Sequence, residues 1–279
     1  MGQEDKNKQK KSKYNRLTII QYILIIFLAI VLLTPFVKNM QFNSRISREI
    51  EEFRRRDNTE LVTSMEERNR EIDESNSFYI DSTDPFEGTT VYKDRAEMLG
   101  VLTLPKIDEE LSVYDRTDNL SLREGIGLLD GTHMPTGGIG NTTVLTGHNG
   151  MADATILRNL HKMEEGDVFT FDNGEEVLTY EIYDSIVVLP HETEYIKQIP
   201  DQDTMILLTC ITPDMTKGIN THRLLVYAER IPTVEEEIQE IKPEVNSNTR
   251  YIVFGVAGIV VLFVLIGKAV YNKVNAEKK

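Results

Sequence analysis

Two long uncharged stretches lie near the two ends of the chain and enclose a polar middle. The first has 21 residues, 17–37, and the second has 17 residues, 251–267. At ~1.5 Å per helical residue the first spans roughly 31 Å, enough to cross a hydrocarbon core of ~30 Å. The second can extend to residue 271 if Lys268 reaches the membrane surface with its ammonium group. The pattern therefore predicts two transmembrane helices, residues 17–37 and 251–271.

Between these stretches, the flanks of the middle region differ from its centre. Within residues 38–80, apolar side chains at Ile46, Ile50 and Phe53 follow the helical period, which predicts one or two amphipathic helices. A solvated stalk is the alternative. Residues 232–250 contain two prolines and a run of three glutamates, which indicates an acidic tether.

The centre, residues 99–231, has the pattern of a β domain. Short apolar runs alternate with turn signals, among them the hairpin signal at residues 172–174. Only residues 154–163 have a clear helical pattern, with Asp153 as the N-cap. Many short strands with one helix between them predict a mostly β fold, a closed or nearly closed barrel. The predicted strands are residues 101–104, 111–114, 142–146, 168–171, 177–189, 205–209 and 224–228.

The charges beside the two apolar stretches predict the orientation of the chain. Residues 1–16 carry a net charge of +4 and residues 268–279 a net charge of +3, so the total of −14 leaves −21 for residues 38–250. Basic flanks favour the cytoplasmic side, which predicts a cell-membrane protein with cytoplasmic termini and an extracellular middle. The acidic middle argues against nucleic acid as a partner, because phosphates require a basic surface. It is compatible with a partner that carries a free amine.

The only cysteine, Cys210, is the first candidate for chemistry. It directly follows the apolar run 205–209 and precedes a polar loop, so a strand would hold its thiol at the mouth of the barrel. A nucleophilic thiol needs a lowered pKa or an adjacent base. The alternative is a buried cysteine that acts only as a small apolar side chain. No residue cluster suggests a metal, and no cofactor is expected.

His148 is the candidate base. It follows a predicted strand, and glycines at 147 and 150 allow a loop to bring its ring near another strand end. If Arg223 faces Cys210 across neighbouring strands, it can hold a carbonyl oxygen on which charge develops; otherwise it is a surface cation. Three of the remaining histidines are interpreted as surface residues: His133, His161 and His191. Strand alternation places the fourth, His222, on the opposite face from Arg223.

Three ordered runs resemble the signature of sortases, the membrane-anchored cysteine transpeptidases of Gram-positive bacteria. They are Thr146-Gly147-His148, Leu208-Thr209-Cys210 and residues 219–226, and the resemblance covers most of residues 101–230. It implies a closed sortase-type β-barrel of about eight strands with few short helices. It also implies that Cys210 attacks a Leu-Pro-x-Thr-Gly-like sorting signal and forms a thioester.

The resemblance further implies the roles of the neighbouring residues. His148 serves as general acid for the leaving amine and then as base for the incoming one, Arg223 stabilises the oxyanion, and Thr209 contacts substrate. The segment 211–218 is longer than the usual link in the family, which leaves the details of substrate recognition open.

Asp84-Pro85-Phe86 resembles the lid of class C, or pilus-assembly, sortases. This resemblance implies that residues 81–98 form a lid loop, and that a lysine amine of an acceptor pilin resolves the thioester into an isopeptide bond. An ordinary Asp-Pro turn is the alternative for the tripeptide. For the whole protein the alternatives are a housekeeping sortase that anchors surface proteins to the cell wall, a membrane cysteine protease, or a non-catalytic adhesion or scaffolding ectodomain.

The predicted organisation has eight parts. In chain order these are a cytoplasmic basic tail (1–16), a transmembrane helix (17–37), an amphipathic helical region (38–80), a lid loop region (81–98), a catalytic β-barrel (99–231), an acidic tether (232–250), a transmembrane helix (251–271) and a cytoplasmic basic tail (272–279).

Overall fold

The structure is a computed structural model, and it describes residues 2–78, 94, 96–150, 156–213 and 220–232. The chain divides into two compact units, Met1–Thr233 and Val234–Lys279, and every described residue belongs to the first. The second predicted transmembrane helix, the basic tail after it and the tether beyond Pro232 lie outside the described residues.

Among the described residues, two helices precede the barrel: α1 (Gly2–Arg55) and α2 (Thr59–Ser75). The predicted amphipathic face is confirmed, because Ile46, Ile50 and Phe53 are buried in one cluster with Val101 and other residues of the barrel. The solvated-stalk alternative for this part of the chain is therefore wrong. By the combined criterion of length and mean hydropathy, none of the helices among the described residues qualifies as membrane-spanning.

The eight strands are β1 (Met98–Leu104), β2 (Glu109–Tyr114), β3 (Ile126–Leu128), β4 (Thr142–Gly147), β5 (Val168–Asp172), β6 (Val177–Val188), β7 (Thr204–Ile211) and β8 (His222–Ile231). They form a closed barrel in the order β1-β2-β3-β4-β7-β8-β6-β5. The closed barrel confirms the predicted fold, although the sequence pattern indicates only seven of the strands. Two neighbouring pairs, β2 with β3 and β4 with β7, are parallel, and the other pairs are antiparallel. The short α3 (Ser121–Glu124) precedes β3, a three-residue strand that the sequence pattern does not reveal.

Alternating side chains of β7 pack into two different clusters. Met205 and Leu207 belong to the large cluster that fills the barrel. Ile206 and Leu208 belong to a second cluster on the other face, where Ile196 from the β6–β7 connection covers them. Because successive side chains of a strand point to opposite faces, the even-numbered residues of β7 all face the second cluster.

The predicted helix at residues 154–163 is wrong. A turn occupies residues 156–159 and a single 3₁₀ turn follows at Leu160–Lys162, while residues 151–155, with the predicted N-cap Asp153, lie outside the described residues. The apolar residues of the segment are buried as the pattern requires. Leu157, however, has φ +43°, in the left-handed region that ends a right-handed helix.

His133 is buried, with 0% of its surface exposed, so its interpretation as a surface residue is wrong. Its Nδ1 accepts a hydrogen bond from the Thr142 backbone N–H at 3.1 Å, and its Nε2–H therefore donates to Asp73 of α2 at 3.2 Å. The Phe78 ring packs against the imidazole, with ring centroids 5.4 Å apart. His133 thus joins the end of α2 to the connection between β3 and β4.

Candidate active site

The strand register brings the three predicted catalytic residues into one row. Cys210 of β7 pairs directly with Arg223 of β8. On the other side of β7, Gly147 pairs with Thr209 in parallel register, so that His148 follows β4 beside Cys210. All three residues thus lie at one end of three neighbouring strands, β4, β7 and β8.

The sequence pattern placed Cys210 directly after its strand. In the structure Cys210 is the penultimate residue of β7. Its side chain is 6% exposed, on the face shared with Leu208 and the second cluster. Since β7 pairs with β8 at Cys210 and with β4 at the preceding residue, the backbone that carries the thiol is held on both sides.

Arg223 is also buried, with 7% of its surface exposed, so it is not the surface cation of the alternative interpretation. Its Nη1 donates to the Asn220 carbonyl at 3.1 Å and to the His222 carbonyl at 2.9 Å. These bonds orient the planar guanidinium at the start of β8. Guanidinium N–H groups in such an arrangement suit a carbonyl oxygen that acquires negative charge.

His148 is half-buried, and this burial lowers the pKa of its imidazole below the usual value of 6.5. The ring is therefore largely neutral at neutral pH, the state in which a general base accepts a proton. The neighbouring Gly147 has a packing role, since a Cβ there would lie 2.5 Å from Ile126 Cγ2 and 2.8 Å from Leu157 Cδ1. Gly150 adopts φ +65°, a conformation that glycine favours.

Thr209 lies on the opposite face from Cys210, by alternation along β7. It is buried, and its hydroxyl donates to the Gly147 carbonyl at 2.8 Å. This hydrogen bond joins β7 to β4 one residue before Cys210 and His148, and it keeps these two residues side by side. Contact of Thr209 with substrate stays a prediction.

The predicted lid tripeptide, Asp84-Pro85-Phe86, lies outside the described residues, and so do residues 214–219 of the long β7–β8 connection. His222, the first residue of β8, pairs with Ile211, and its Nδ1 lies 2.9 Å from the Thr221 hydroxyl oxygen. As alternation predicts, it occupies the face that Arg223 does not.

Sequence reasoning missed Glu109, the first residue of β2. Its carboxylate is 7% exposed, and burial raises its pKa to about 7, against a smaller opposing effect of backbone N–H bonds and of Arg158. Period-two alternation puts Glu109 on the same face as Leu111 and Val113, both of which lie in the barrel core. That alternation was a usable signal, since an acid on the inward face of a strand is uncommon.

The barrel and its row of cysteine, histidine and arginine define a cysteine transpeptidase, and comparisons with known proteins agree. The sortase domain family matches residues 102–231. Sortase C-1 from Streptococcus pneumoniae is 32% identical, with 68% of this chain and 100% of that chain covered and a TM-score of 0.59. The pilus-related sortase C of group B Streptococcus is 31% identical, with 61% and 91% covered and a TM-score of 0.51.

Among curated proteins, sortase D of Bacillus subtilis is 28% identical over 151 residues, which are 54% of this chain and 73% of the relative. The chain belongs to the sortase family. It is an enzyme, and the predicted resemblance to the class C, pilus-assembly, sortases is confirmed.

Proposed function

We propose that this sortase cleaves a Leu-Pro-x-Thr-Gly-like sorting signal and joins pilin subunits through lysine isopeptide bonds. The row of His148, Cys210 and Arg223 at one end of β4, β7 and β8 is the observation that carries the proposal. The similarity to sortases described as pilus-related supports the choice of pilins over other surface proteins.

The reaction has two acyl-transfer steps. The Cys210 thiol gives its proton to His148, and its sulfur attacks the carbonyl carbon of the signal threonine while the Arg223 guanidinium stabilises the negative charge on the oxygen. His148 then gives a proton to the amine of the leaving glycine, and the peptide bond breaks to leave a thioester. A lysine amine of the next subunit attacks this thioester and loses a proton to His148, and the Cys210 sulfur leaves as an isopeptide bond forms.

A lid formed by Asp84-Pro85-Phe86 is part of the proposal. A carboxylate near Arg223 and an aromatic ring over Cys210 would keep water and stray nucleophiles from the thiol until the loop opens. The sequence resemblance to the class C lid supports this role.

The proposal also includes membrane anchoring by two transmembrane helices, with the barrel extracellular and both termini cytoplasmic. The side chains described within residues 17–37 include many exposed large apolar groups, and a surface of this kind marks a membrane or protein contact. Treatment of intact protoplasts with protease should degrade the barrel and spare the tails; protection of the barrel would contradict the orientation. The exposed apolar residues are Ile20, Ile23, Leu24, Ile25, Ile26, Phe27, Leu28, Ile30, Val31 and Val37.

The chemistry is tested with the full chain in detergent and a Leu-Pro-x-Thr-Gly peptide, by intact mass. We expect an acyl adduct on Cys210 that Cys210→Ala abolishes and that forms faster in Asp84→Ala. Addition of a lysine-containing pilin peptide should convert the adduct into an isopeptide product.

Three outcomes of this experiment would oppose parts of the proposal. Hydrolysis in place of amine transfer would favour a membrane cysteine protease. Transfer only to cell-wall precursor would favour a housekeeping sortase. The absence of any adduct in folded protein would contradict the choice of substrate.

A further inference from the structure

The buried carboxylate of Glu109 accepts hydrogen bonds from a turn that contacts the loop of His148. Glu109 Oε2 accepts the Leu157 backbone N–H at 2.9 Å, and the N–H of Asn159 is directed at the same carboxylate. Its second oxygen, Oε1, is buried and has no hydrogen-bond partner among the described residues. Burial of a carboxylate is costly unless it is hydrogen-bonded or paired with a charge, so the bonds that Glu109 accepts are the ones that offset its burial.

The turn at residues 156–159 depends on this acceptor. Leu157 is held at φ +43°, which a residue with a Cβ adopts only when its surroundings impose it. Its backbone N–H donates to the Glu109 carboxylate. Without an acceptor at this place, a buried N–H group would lose its partner.

The same turn contacts the loop that carries His148, residues 147–150, at two points. The Ile156 carbonyl accepts the Gly150 N–H at 2.7 Å, and Gly150 also donates to the His148 carbonyl at 2.9 Å. On the other side of His148, the Leu157 side chain packs so closely on Gly147 that a Cβ on this glycine would lie 2.8 Å from Leu157 Cδ1.

We propose that Glu109 is a positioning residue for His148, because it holds the 156–159 turn and this turn fixes the Gly147–Gly150 loop. Glu109 does not touch the reacting atoms. It acts through Leu157, first by the backbone bond and then by the packing of that side chain against the loop.

The ionisation of Glu109 gives this role a pH signature. Among the described residues, the charged group that acts on the carboxylate is Arg158 in the turn, and the residue of β1 that pairs with Glu109 is the apolar Leu104. Burial raises the Glu109 pKa to about 7, and the backbone N–H bonds favour the ionised form. An ionised carboxylate accepts these N–H bonds more strongly than a neutral carboxyl group. The local hold on the 147–150 loop therefore strengthens as the pH rises through about 7, even though the buried charge lowers the free energy of unfolding of the whole domain. The His148 pKa is lowered by burial, so its own ionisation falls at lower pH.

The test compares Glu109→Leu and Glu109→Gln with Glu110→Gln in the full chain in detergent. Glu110 is the matched control, because it is the next residue of β2, points to the opposite face, and pairs with Arg54 at the surface. Amide hydrogen exchange is measured for residues 147–160, and steady-state kinetics are measured with a Leu-Pro-x-Thr-Gly peptide from pH 5.5 to 8.5.

For Glu109→Leu we expect amide exchange at Leu157 and Gly150 to be about tenfold faster, with exchange elsewhere in the barrel unchanged. We expect kcat to fall about tenfold at constant KM. Glu109→Gln retains one carbonyl acceptor and should lose less activity, but the ionisation near pH 7 should vanish from its profile. Glu110→Gln should stay within about twofold of the parent.

Unchanged exchange of the loop in folded Glu109→Leu, or an unaltered pH profile in Glu109→Gln, would overturn the inference. The kinetic measurement rests on the proposed function, whereas the measurement of amide hydrogen exchange does not. If the peptide is no substrate for any variant, the proposed substrate is wrong, and the exchange of Gly150 still decides whether Glu109 holds the loop.

Discussion

The hydrogen bond between His133 and Asp73 should contribute measurably to the docking of α2 on the barrel. The imidazole is fully buried, but the Asp73 side chain is 55% exposed, and solvent weakens its part of the bond. A bond to a charged acceptor contributes about 1.5–3 kcal/mol when it is buried, and we expect about 1 kcal/mol of coupling here. Asp73→Ala also leaves the buried Nε2–H without this acceptor, so its total cost should be about 2 kcal/mol.

A double-mutant cycle measures this coupling. The variants are Asp73→Ala, His133→Asn and their combination, because asparagine keeps an acceptor for the Thr142 N–H but does not reach Asp73. Thermal unfolding followed by circular dichroism should show Asp73→Ala with a Tm about 4–8 °C lower than the parent. Glu74→Ala removes the same charge from the adjacent exposed residue and should stay within about 0.5 kcal/mol.

A coupling energy below about 0.3 kcal/mol would refute the reasoning, since additivity within that margin marks independent sites. Equal destabilisation by Asp73→Ala and Glu74→Ala would also refute it. That result would show that the effect is not specific to the bond with His133, because loss of a carboxylate from the C-terminal end of a helix should by itself be slightly stabilising.

Three further predictions concern the active-site row and the buried acid. Gly147→Ala should lower the free energy of unfolding by about 1–3 kcal/mol and slow acyl transfer, because the new methyl group clashes with Ile126 and Leu157. A Tm equal to that of the parent would contradict this packing. Arg223→Lys should lower kcat/KM about 10²–10³-fold with little change in Tm, since an ammonium group cannot reproduce the oriented guanidinium; full activity would exclude its oxyanion role. For Glu109, a folded pKa of about 7 against an ordinary 4.5 means that its stability contribution is fully present below pH 4.5 and is lost as the pH rises through 7. The loss is about 3 kcal/mol, so urea unfolding of Glu109→Gln should show a flatter pH dependence than the parent between pH 4.5 and 8, and parallel curves would contradict the shift.

The barrel could be predicted from sequence because seven of its strands are short apolar runs separated by turn signals, which are local features of the chain. β3 was missed since three residues are too short to display a period, and they form a strand only where β2 and β4 pair with them. The helix at residues 154–163 was predicted wrongly for a related reason. Burial of its apolar residues was correct, but a turn held by Glu109 buries the same residues, and a sequence pattern does not distinguish the two.

The sequence by itself determined seven of the eight strands of the barrel, the amphipathic face of the N-terminal helical region, and the residue types that a thiol-based acyl transfer requires. It did so because periodicity and residue chemistry are local properties. Only the tertiary structure decided that Cys210, His148 and Arg223 share one row, because the parallel pairing of β4 with β7 joins segments about 60 residues apart in the chain. The burial of His133 and Glu109 was likewise decided by their partners, Asp73 and Leu157, since a polar side chain enters a core only where distant parts of the chain supply its hydrogen bonds.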